Sequence, residues 1–178
     1  GEKIIPPGGF GGTSLTFGIS APEQRVLIID EPDLTIEAFS VNHSPIEPAV
    51  GYKVRYKDRT LVISGDTAQS AAVLREARGV DLLIHEALAS DLVQPLSTAA
   101  GNAGRANLAQ IFIDIQNYHT TPEQAAETAR DAGVDYLLLT HIVPPLPLPG
   151  LETAFLGDAT DIFKGTLRVG QDGDFVSM

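Results

Sequence analysis

Cysteine is absent from the 178-residue sequence. This absence excludes disulfide bonds, thiolate metal ligands and a cysteine nucleophile, and it leaves the redox compartment undetermined. No apolar run approaches the ~20 residues that a membrane-spanning helix needs, so we expect no transmembrane segment. Basic residues are few, since 12 Lys and Arg stand against 23 Asp and Glu and give a formal charge of −11. Phosphate backbones would meet net repulsion, which disfavours a nucleic-acid partner.

The length of the chain and its hydrophobic content of 43% predict one globular domain over residues 1–178, with a core of useful size. Residues 1–9 contain neither an initiator Met nor the profile of a signal peptide, which indicates a chain entered partway. No residue pattern determines the compartment, and a cytoplasmic location is the default expectation.

Five short apolar or alternating runs in the first part of the chain predict β-strands. Turn-forming residues at 57–59 separate the last two runs, so these two are expected to pair as a hairpin. Gly and Pro dominate residues 1–12, which predicts a loop before the first strand. The predicted strands are 13–19, 25–30, 34–41, 50–56 and 60–64.

Two units of helix followed by strand come next. The first has a helical pattern at 68–78 and a buried strand at 80–84. The second begins at Thr121, which is followed by proline at the first helical position and glutamine at the third, a capping-box pattern. Its strand is predicted at 134–139. Two such units imply right-handed crossovers and a parallel sheet segment covered by helices.

The remaining segments complete the prediction without an evident linker between domains. Residues 87–118 are expected to be helical, with a Gly/Asn break near 101–104. Residues 144–149 form a proline-rich loop, residues 151–163 a final helix, and residues 165–178 a hairpin.

All four histidines and one aspartate stand where a metal or proton-transfer site would need them. Asp66, His85 and His141 directly follow short apolar runs, and ligands bind at the carboxyl ends of strands in open α/β sheets. His43 and His119 lie in turns that are rich in polar residues. Imidazole and carboxylate groups together are the ligand set that zinc and similar metals prefer.

Each of these residues also has a plainer interpretation. Asp66 could cap a helix, His43 could be a turn residue, and His141 could be a strand-end histidine bonded to a carbonyl. Glu86, after His85, could orient a ligand or could simply be a partly exposed acid at a strand end. A helix N-terminus follows His119, and its dipole is expected to lower the pKa of this histidine and favour neutral imidazole.

These motifs resemble a known family. From about residue 34 to residue 178 the chain resembles the C-terminal half of the metallo-β-lactamase-fold hydrolases, in particular the ribonuclease Z-like and arylsulfatase-like branch. The matching stretches are Val-Asn-His-Ser-Pro, Ser-Gly-Asp-Thr, Leu-Ile-His-Glu-Ala, Tyr-His-Thr-Thr-Pro-Glu-Gln-Ala and Leu-Thr-His. The resemblance implies part of an αβ/βα sandwich, an incomplete domain with a mixed sheet and helices on one face.

The resemblance also assigns roles to the site residues. His43, Asp66 and His141 correspond to metal ligands, with Asp66 bridging two ions. The resemblance implies that both ions are zinc in the complete enzyme. His119 corresponds to the catalytic histidine near the leaving group. Glu86, in Leu-Ile-His-Glu-Ala, is the second catalytic residue, and the histidine before it supports the site.

One family motif is absent. No His-x-His-x-Asp-His occurs in the sequence, so the resemblance leaves two protein ligands for each ion, short of the three that a catalytic zinc normally has. We therefore expect weak metal binding and little activity from this chain alone. A lone half would also expose the inner face of its sheet, which predicts a homo-oligomer or an N-terminal partner chain.

The function implied for the complete enzyme is hydrolysis of an ester, sulfate ester, lactone or phosphodiester by a metal-bound hydroxide. The acidic charge, and a 44–65 stretch too short for an RNA-clamping arm, favour a small-molecule ester-type substrate. Two alternatives remain open. One is a tRNA 3′-end endonuclease of the ribonuclease Z kind, and the other is a non-catalytic assembly module.

Overall fold

The computed structural model of the protein describes residues 17–18, 24–148 and 150–177. The loop predicted at 1–12 lies outside these residues, as does most of the strand predicted at 13–19. The strands predicted at 25–30, 34–41, 50–56 and 60–64 are all confirmed, with shifts of one residue at some ends.

One mixed sheet of seven strands organises the described residues, in the order β1-β2-β3-β4-β5-β6-β7. Neighbours pair antiparallel from β1 to β4 and parallel from β4 to β7. It follows that β2, β4, β5, β6 and β7 all run in one direction and end at the same edge. The strands are β1 (Arg25–Glu31), β2 (Leu34–Ser40), β3 (Val50–Tyr56), β4 (Arg59–Ile63), β5 (Leu82–Leu88), β6 (Tyr136–Val143) and β7 (Thr166–Val169).

Two of the helices begin where a side chain satisfies one of their first backbone N–H groups. The capping box predicted at Thr121 is confirmed, since its side chain accepts from Gln124 N and the Gln124 side chain accepts from Thr121 N. Ser70 caps the first helix, which is shorter than the predicted 68–78. The helices are α1 (Ala71–Ala77), α2 (Ser90–Asn102), α3 (Ala106–Asp114), α4 (Pro122–Ala132), α5 (Leu151–Leu156) and α6 (Ala159–Ile162), with a 3₁₀ turn at Ile115–Asn117.

The core lies between one face of the sheet and helices α1 and α4. Val62, Leu83 and Leu137 are completely buried on this face. The side of α4 that meets them is built of buried alanines, and these small side chains let the helix lie close to the sheet. The opposite face carries a cross-strand row of Ile36, Val54 and Leu61, all half-buried.

Two predictions for the end of the chain are wrong. The helix predicted at 151–163 is interrupted, because Gly157 adopts a left-handed φ of 51°. Glycine fits this position because a Cβ there would collide with the Glu123 side chain. The hairpin predicted at 165–178 does not form. Instead β7 pairs parallel with β6, and a turn follows at 171–174 with no return strand among residues 170–177. Within the described residues, no helix is both long and apolar enough to cross a membrane.

Candidate active site

The five residues singled out for metal binding and catalysis come from segments that meet at one edge of the sheet. His43 follows β2, Asp66 follows β4, Glu86 lies near the end of β5, and His141 lies near the end of β6. His119 lies in the loop before α4. The common direction of these four strands is what brings distant parts of the chain to this edge.

Three histidine rings form a continuous cluster there. The ring centroids of His43 and His119 are 4.9 Å apart, and those of His119 and His141 are 5.8 Å apart. The cluster reaches from a buried histidine, His43 with 8% exposure, to one whose side chain is 52% exposed, His141. One end is therefore held by the protein and the other faces solvent.

The orientation of His43 is fixed by a residue that sequence analysis missed. Its Nδ1 lies 2.8 Å from the backbone oxygen of Tyr118, and the two rings also meet edge to face. A carbonyl oxygen can only accept a hydrogen bond, so Nδ1 carries the proton and the lone pair remains on Nε2. This arrangement is typical of a metal-ligating histidine held by a second partner. The only available signal was that Tyr118 directly precedes His119.

His141 is the extra residue of a β-bulge. Glu86 pairs with Thr140 and Ala87 pairs with Ile142, which leaves His141 without a partner across the ladder. Its φ is 47°, a left-handed conformation that is strained for a residue with a Cβ. Bulges redirect side chains beside active sites. Here Nε2 of His141 lies 3.6 Å from Oδ2 of Asp66.

Asp66 is positioned by the glycine before it. Gly65 has a φ of 64°, and a Cβ at this position would collide with the Val50 carbonyl, so only glycine fits the turn. Asp66 does not cap the following helix, because Ser70 accepts the hydrogen bond from Ala72 N. Its side chain is 46% exposed and faces His141.

Glu86 is the most constrained member of the site. Its side chain is buried, and Oε1 accepts from Thr120 N at 2.9 Å and from Thr67 N at 3.3 Å. Nδ1 of His119 lies 3.2 Å from the same oxygen, although the two atoms do not form a hydrogen bond of good geometry. Oε2 has no hydrogen-bond partner among the described residues. The interpretation of Glu86 as a partly exposed strand-end acid is therefore wrong, since its exposure is 1%.

The expectation that a helix dipole lowers the pKa of His119 is wrong. Burial does lower the pKa of this imidazole, but the polar contact and negative charge of Glu86, together with the charge of Asp66, outweigh burial and raise the pKa above its usual value of 6.5. The local sequence indicated only the nearby helix end, whereas the direction of the pKa shift is decided by the Glu86 carboxylate, which lies on strand β5.

His85 lies apart from the cluster. It pairs with Leu139 across the ladder, is fully buried, and directs Nδ1 to the backbone oxygen of Glu86 at 2.8 Å. Nε2 has no hydrogen-bond partner among the described residues. Burial lowers the pKa of His85, so its ring is neutral and belongs to the packed interior.

The fold agrees with what is found by comparison with known proteins. Residues 16–142, more than half of the chain, match the family model of the Beta-lactamase superfamily domain. The chain belongs to this superfamily.

Curated relatives within the superfamily carry the name ribonuclease Z, as the predicted resemblance implied. The chain is 32% identical over 143 residues to ribonuclease Z of Mycobacterium sp. (strain KMS), with 80% of this chain and 46% of the relative covered. It is 31% identical over 143 residues to ribonuclease Z of Mycobacterium tuberculosis (strain ATCC 25177 / H37Ra), with 80% and 48% covered. The chain thus spans about half the length of these relatives. A closer tie to the arylsulfatase-like branch stays a prediction.

Solved structures show the same superfamily fold. The metallo-beta-lactamase fold protein YhfI from Bacillus subtilis aligns with a TM-score of 0.59 and 19% identity, over 87% of this chain and 53% of that one. Igni18, a metallo hydrolase from Ignicoccus hospitalis, aligns with a TM-score of 0.53 and 15% identity, over 89% and 60%. At these identities the likeness concerns the fold alone.

The superfamily implies a bound metal ion. The side chains at this site have the right chemistry for such an ion, but too few of those that the structure describes converge to hold it. Neutral imidazole and carboxylate are the ligands that zinc prefers. Yet no group of three His, Asp or Glu side chains in the described part of the chain is arranged to hold an ion. His141 and Asp66 form a pair of partly exposed donors, with Nε2 and Oδ2 3.6 Å apart. The assignment of His43, Asp66 and His141 as metal ligands stays a prediction.

Proposed function

We propose that this chain supplies one part of a metal-dependent hydrolytic site, whose remaining ligands come from another polypeptide segment or chain. The cluster of His43, His119 and His141 at one sheet edge, next to Asp66 and Glu86, is the observation that carries the proposal. Chemistry-bearing side chains from four strands and a loop converge there.

His43, Asp66 and His141 would hold the metal. A divalent ion such as zinc, when bound, supplies a Lewis acid and a water molecule of lowered pKa. Tyr118 fixes His43 in the tautomer that leaves Nε2 available, and the bulge directs His141 toward Asp66. With one histidine on each side of Asp66, each ion would have two protein ligands, so additional protein ligands would have to fill the remaining coordination positions.

His119 and Glu86 would handle the proton. Glu86 is held by two backbone N–H groups, so its negative charge stays beside the imidazole of His119 and stabilises the protonated form. A protonated imidazole beside the metal positions can donate to the oxygen that leaves when an ester-type bond breaks.

The substrate has two candidates. The charge of −11 favours a small ester-type molecule, because it opposes the approach of a polyanion. The name ribonuclease Z of the curated relatives favours a tRNA 3′ end. Salt dependence separates these candidates, since RNA binding weakens steeply with added salt whereas binding of a neutral ester does not.

Zinc titration tests the proposal. The isolated chain should hold zinc weakly and lose it on dialysis. Supplying a segment with His-x-His-x-Asp-His in trans or by fusion should give tight binding near two ions per complete unit, together with hydrolysis of an aryl ester or a phosphodiester. Asp66→Ala should abolish both, and Asp172→Ala, another exposed carboxylate, should leave both intact. A chain that never binds zinc, even when completed in this way, would instead be an assembly module.

A further inference from the structure

A groove of about 570 Å³ opens at the carboxyl ends of β6 and β7, and none of the five site residues lines it. Its volume falls in the range of small-molecule binding sites, roughly 300–1,000 Å³. Ile142 directly follows His141, so the groove begins one residue from the histidine cluster. We call it the Leu148 groove, and the residues that matter for its chemistry are Ile142, Leu146, Leu148, Glu152, Val169 and Gln171.

The floor of the Leu148 groove is apolar and supported from behind. Ile142, Leu146 and Val169 are partly buried and pack on the hydrophobic core, so their positions are set by the fold. Leu148 at the rim is 65% exposed. Pro147 restricts the backbone of this wall, which lowers the entropy lost when a ligand binds. The groove therefore offers a preformed surface for a small apolar body.

The rim adds a carboxylate that has no direct partner. In the part of the chain that the structure describes, Glu152 makes no hydrogen bond or ion pair, although its negative charge is among those that raise the pKa of Arg168. The nearby guanidinium of Arg168 is instead engaged by Asp174, at 3.0 Å, and by the Tyr136 hydroxyl. The side-chain amide of Gln171 lies on the same rim. A carboxylate above an apolar floor is complementary to an ammonium group, and the strongly acidic chain adds to the attraction.

We propose that the Leu148 groove binds small ligands that combine an apolar body with a protonated amine. The body lies on Ile142, Leu146 and Val169, and the amine pairs with Glu152. This binding needs neither a metal ion nor the residues of the histidine cluster. It can therefore fail without affecting the proposed hydrolytic function, and the reverse is also true.

The absence of tryptophan from the chain provides a direct assay. Leu148→Trp places a single indole at the rim, and its fluorescence can be followed during titration at pH 7. Three probes of similar size differ in charge: 2-phenylethylammonium, 2-phenylethanol and 3-phenylpropanoate. The expected order of affinity is ammonium, then alcohol, then carboxylate. Calorimetry on the unmodified chain should give the same order, which controls for effects of the indole.

Glu152→Gln isolates the charge. In the Leu148→Trp background it should weaken binding of the ammonium probe by about twofold to fivefold, as expected for a solvent-exposed ion pair, and leave the alcohol unchanged. Ile111→Trp on α3 is the matched control, since Ile111 is also about half exposed, and its fluorescence should not respond. The proposal is overturned by an absence of saturable binding in both assays. Equal affinity for the three probes, or an equal loss for all three in Glu152→Gln, also overturns it.

Discussion

Glu86 Oε1 and His119 Nδ1 lie 3.2 Å apart in the interior of the site, and the same oxygen accepts from the backbone N–H groups of Thr67 and Thr120. One buried carboxylate oxygen thus joins the turn after β4, the loop before α4 and the strand β5. The catalytic proposal for His119 and the stability of this edge depend on the same atom.

Glu86→Ala should therefore destabilise the fold by roughly 3 kcal/mol, because it leaves two buried N–H groups without an acceptor. Glu86→Gln keeps an amide oxygen in place and should lose less than half of that. Urea denaturation gives both free energies of unfolding. Glu47→Ala, at an exposed position, should have little effect. Equal losses in the Ala and Gln variants would show that the acceptor is not what stabilises this edge.

The bulge at His141 predicts a reversal of the usual ranking of glycine and alanine. At φ 47° a Cβ is strained, so His141→Gly should be more stable than His141→Ala by about 1 kcal/mol. The neighbouring Thr140 pairs normally with Glu86. At this position Thr140→Ala should be more stable than Thr140→Gly. Thermal or urea unfolding of the four variants tests this. The same ranking at both positions would contradict a strained backbone at His141.

His85 should make stability fall as the solution becomes acidic. Burial lowers the pKa of His85, so the folded protein keeps the ring neutral while the unfolded chain takes up a proton below about pH 6.5. This contribution is complete above pH 6.5 and is lost as the pH falls below it.

In His85→Leu this loss should be absent. The stability of the unmodified protein relative to the variant should therefore decrease by up to about 2 kcal/mol between pH 7 and pH 5. The other three histidines are present in both proteins, so the difference between their unfolding curves isolates His85. Parallel curves would mean that His85 takes up a proton as readily in the folded protein as in the unfolded chain.

Substitution of His119 should lower turnover without changing the metal content. In the completed enzyme, His119→Ala should lower turnover by roughly 10²–10⁴-fold, the usual contribution of a general acid or base, and should leave bound zinc unchanged. Metal analysis and steady-state kinetics on the same preparation provide both values. Loss of zinc equal to that of Asp66→Ala would make His119 a ligand.

The row of Ile36, Val54 and Leu61 predicts association. The isolated chain should sediment as a dimer or larger species at micromolar concentration, since an apolar sheet face favours contact with a second surface. Val54→Lys should shift it toward the monomer. Thr35→Lys, on the opposite face of the sheet, should not. A compact, stable monomer of the unmodified chain would refute this prediction.

Local chemistry made much of the fold predictable from sequence. The capping box at Thr121 and the turn at 57–59 are set by residues a few positions apart, and both were located correctly. The placement of Asp66 and His141 after apolar runs also identified the edge of the sheet where they lie. Such features need no knowledge of distant contacts.

Features that depend on pairing between distant segments could not be predicted in this way. The bulge at His141 arises because β6 has one residue more than β5 between two consecutive pairs of the ladder, so that His141 has no partner. The parallel pairing of β7 with β6 replaced an expected hairpin for the same kind of reason. The pKa of His119 follows from Glu86 on another strand, and the partner of His43 is a backbone oxygen, which no residue type reveals.

The common direction of β2, β4, β5, β6 and β7 also provides an attachment site far from the histidine cluster. The turn between β3 and β4, at Lys57 and Asp58, lies at the edge opposite the histidine cluster, and both residues are exposed. A fluorescent label, an affinity tag or a surface tether attached at this turn would point away from the cluster. Immobilising the chain there would keep the site edge open to solutes, so zinc uptake and partner capture could be measured on a sensor surface.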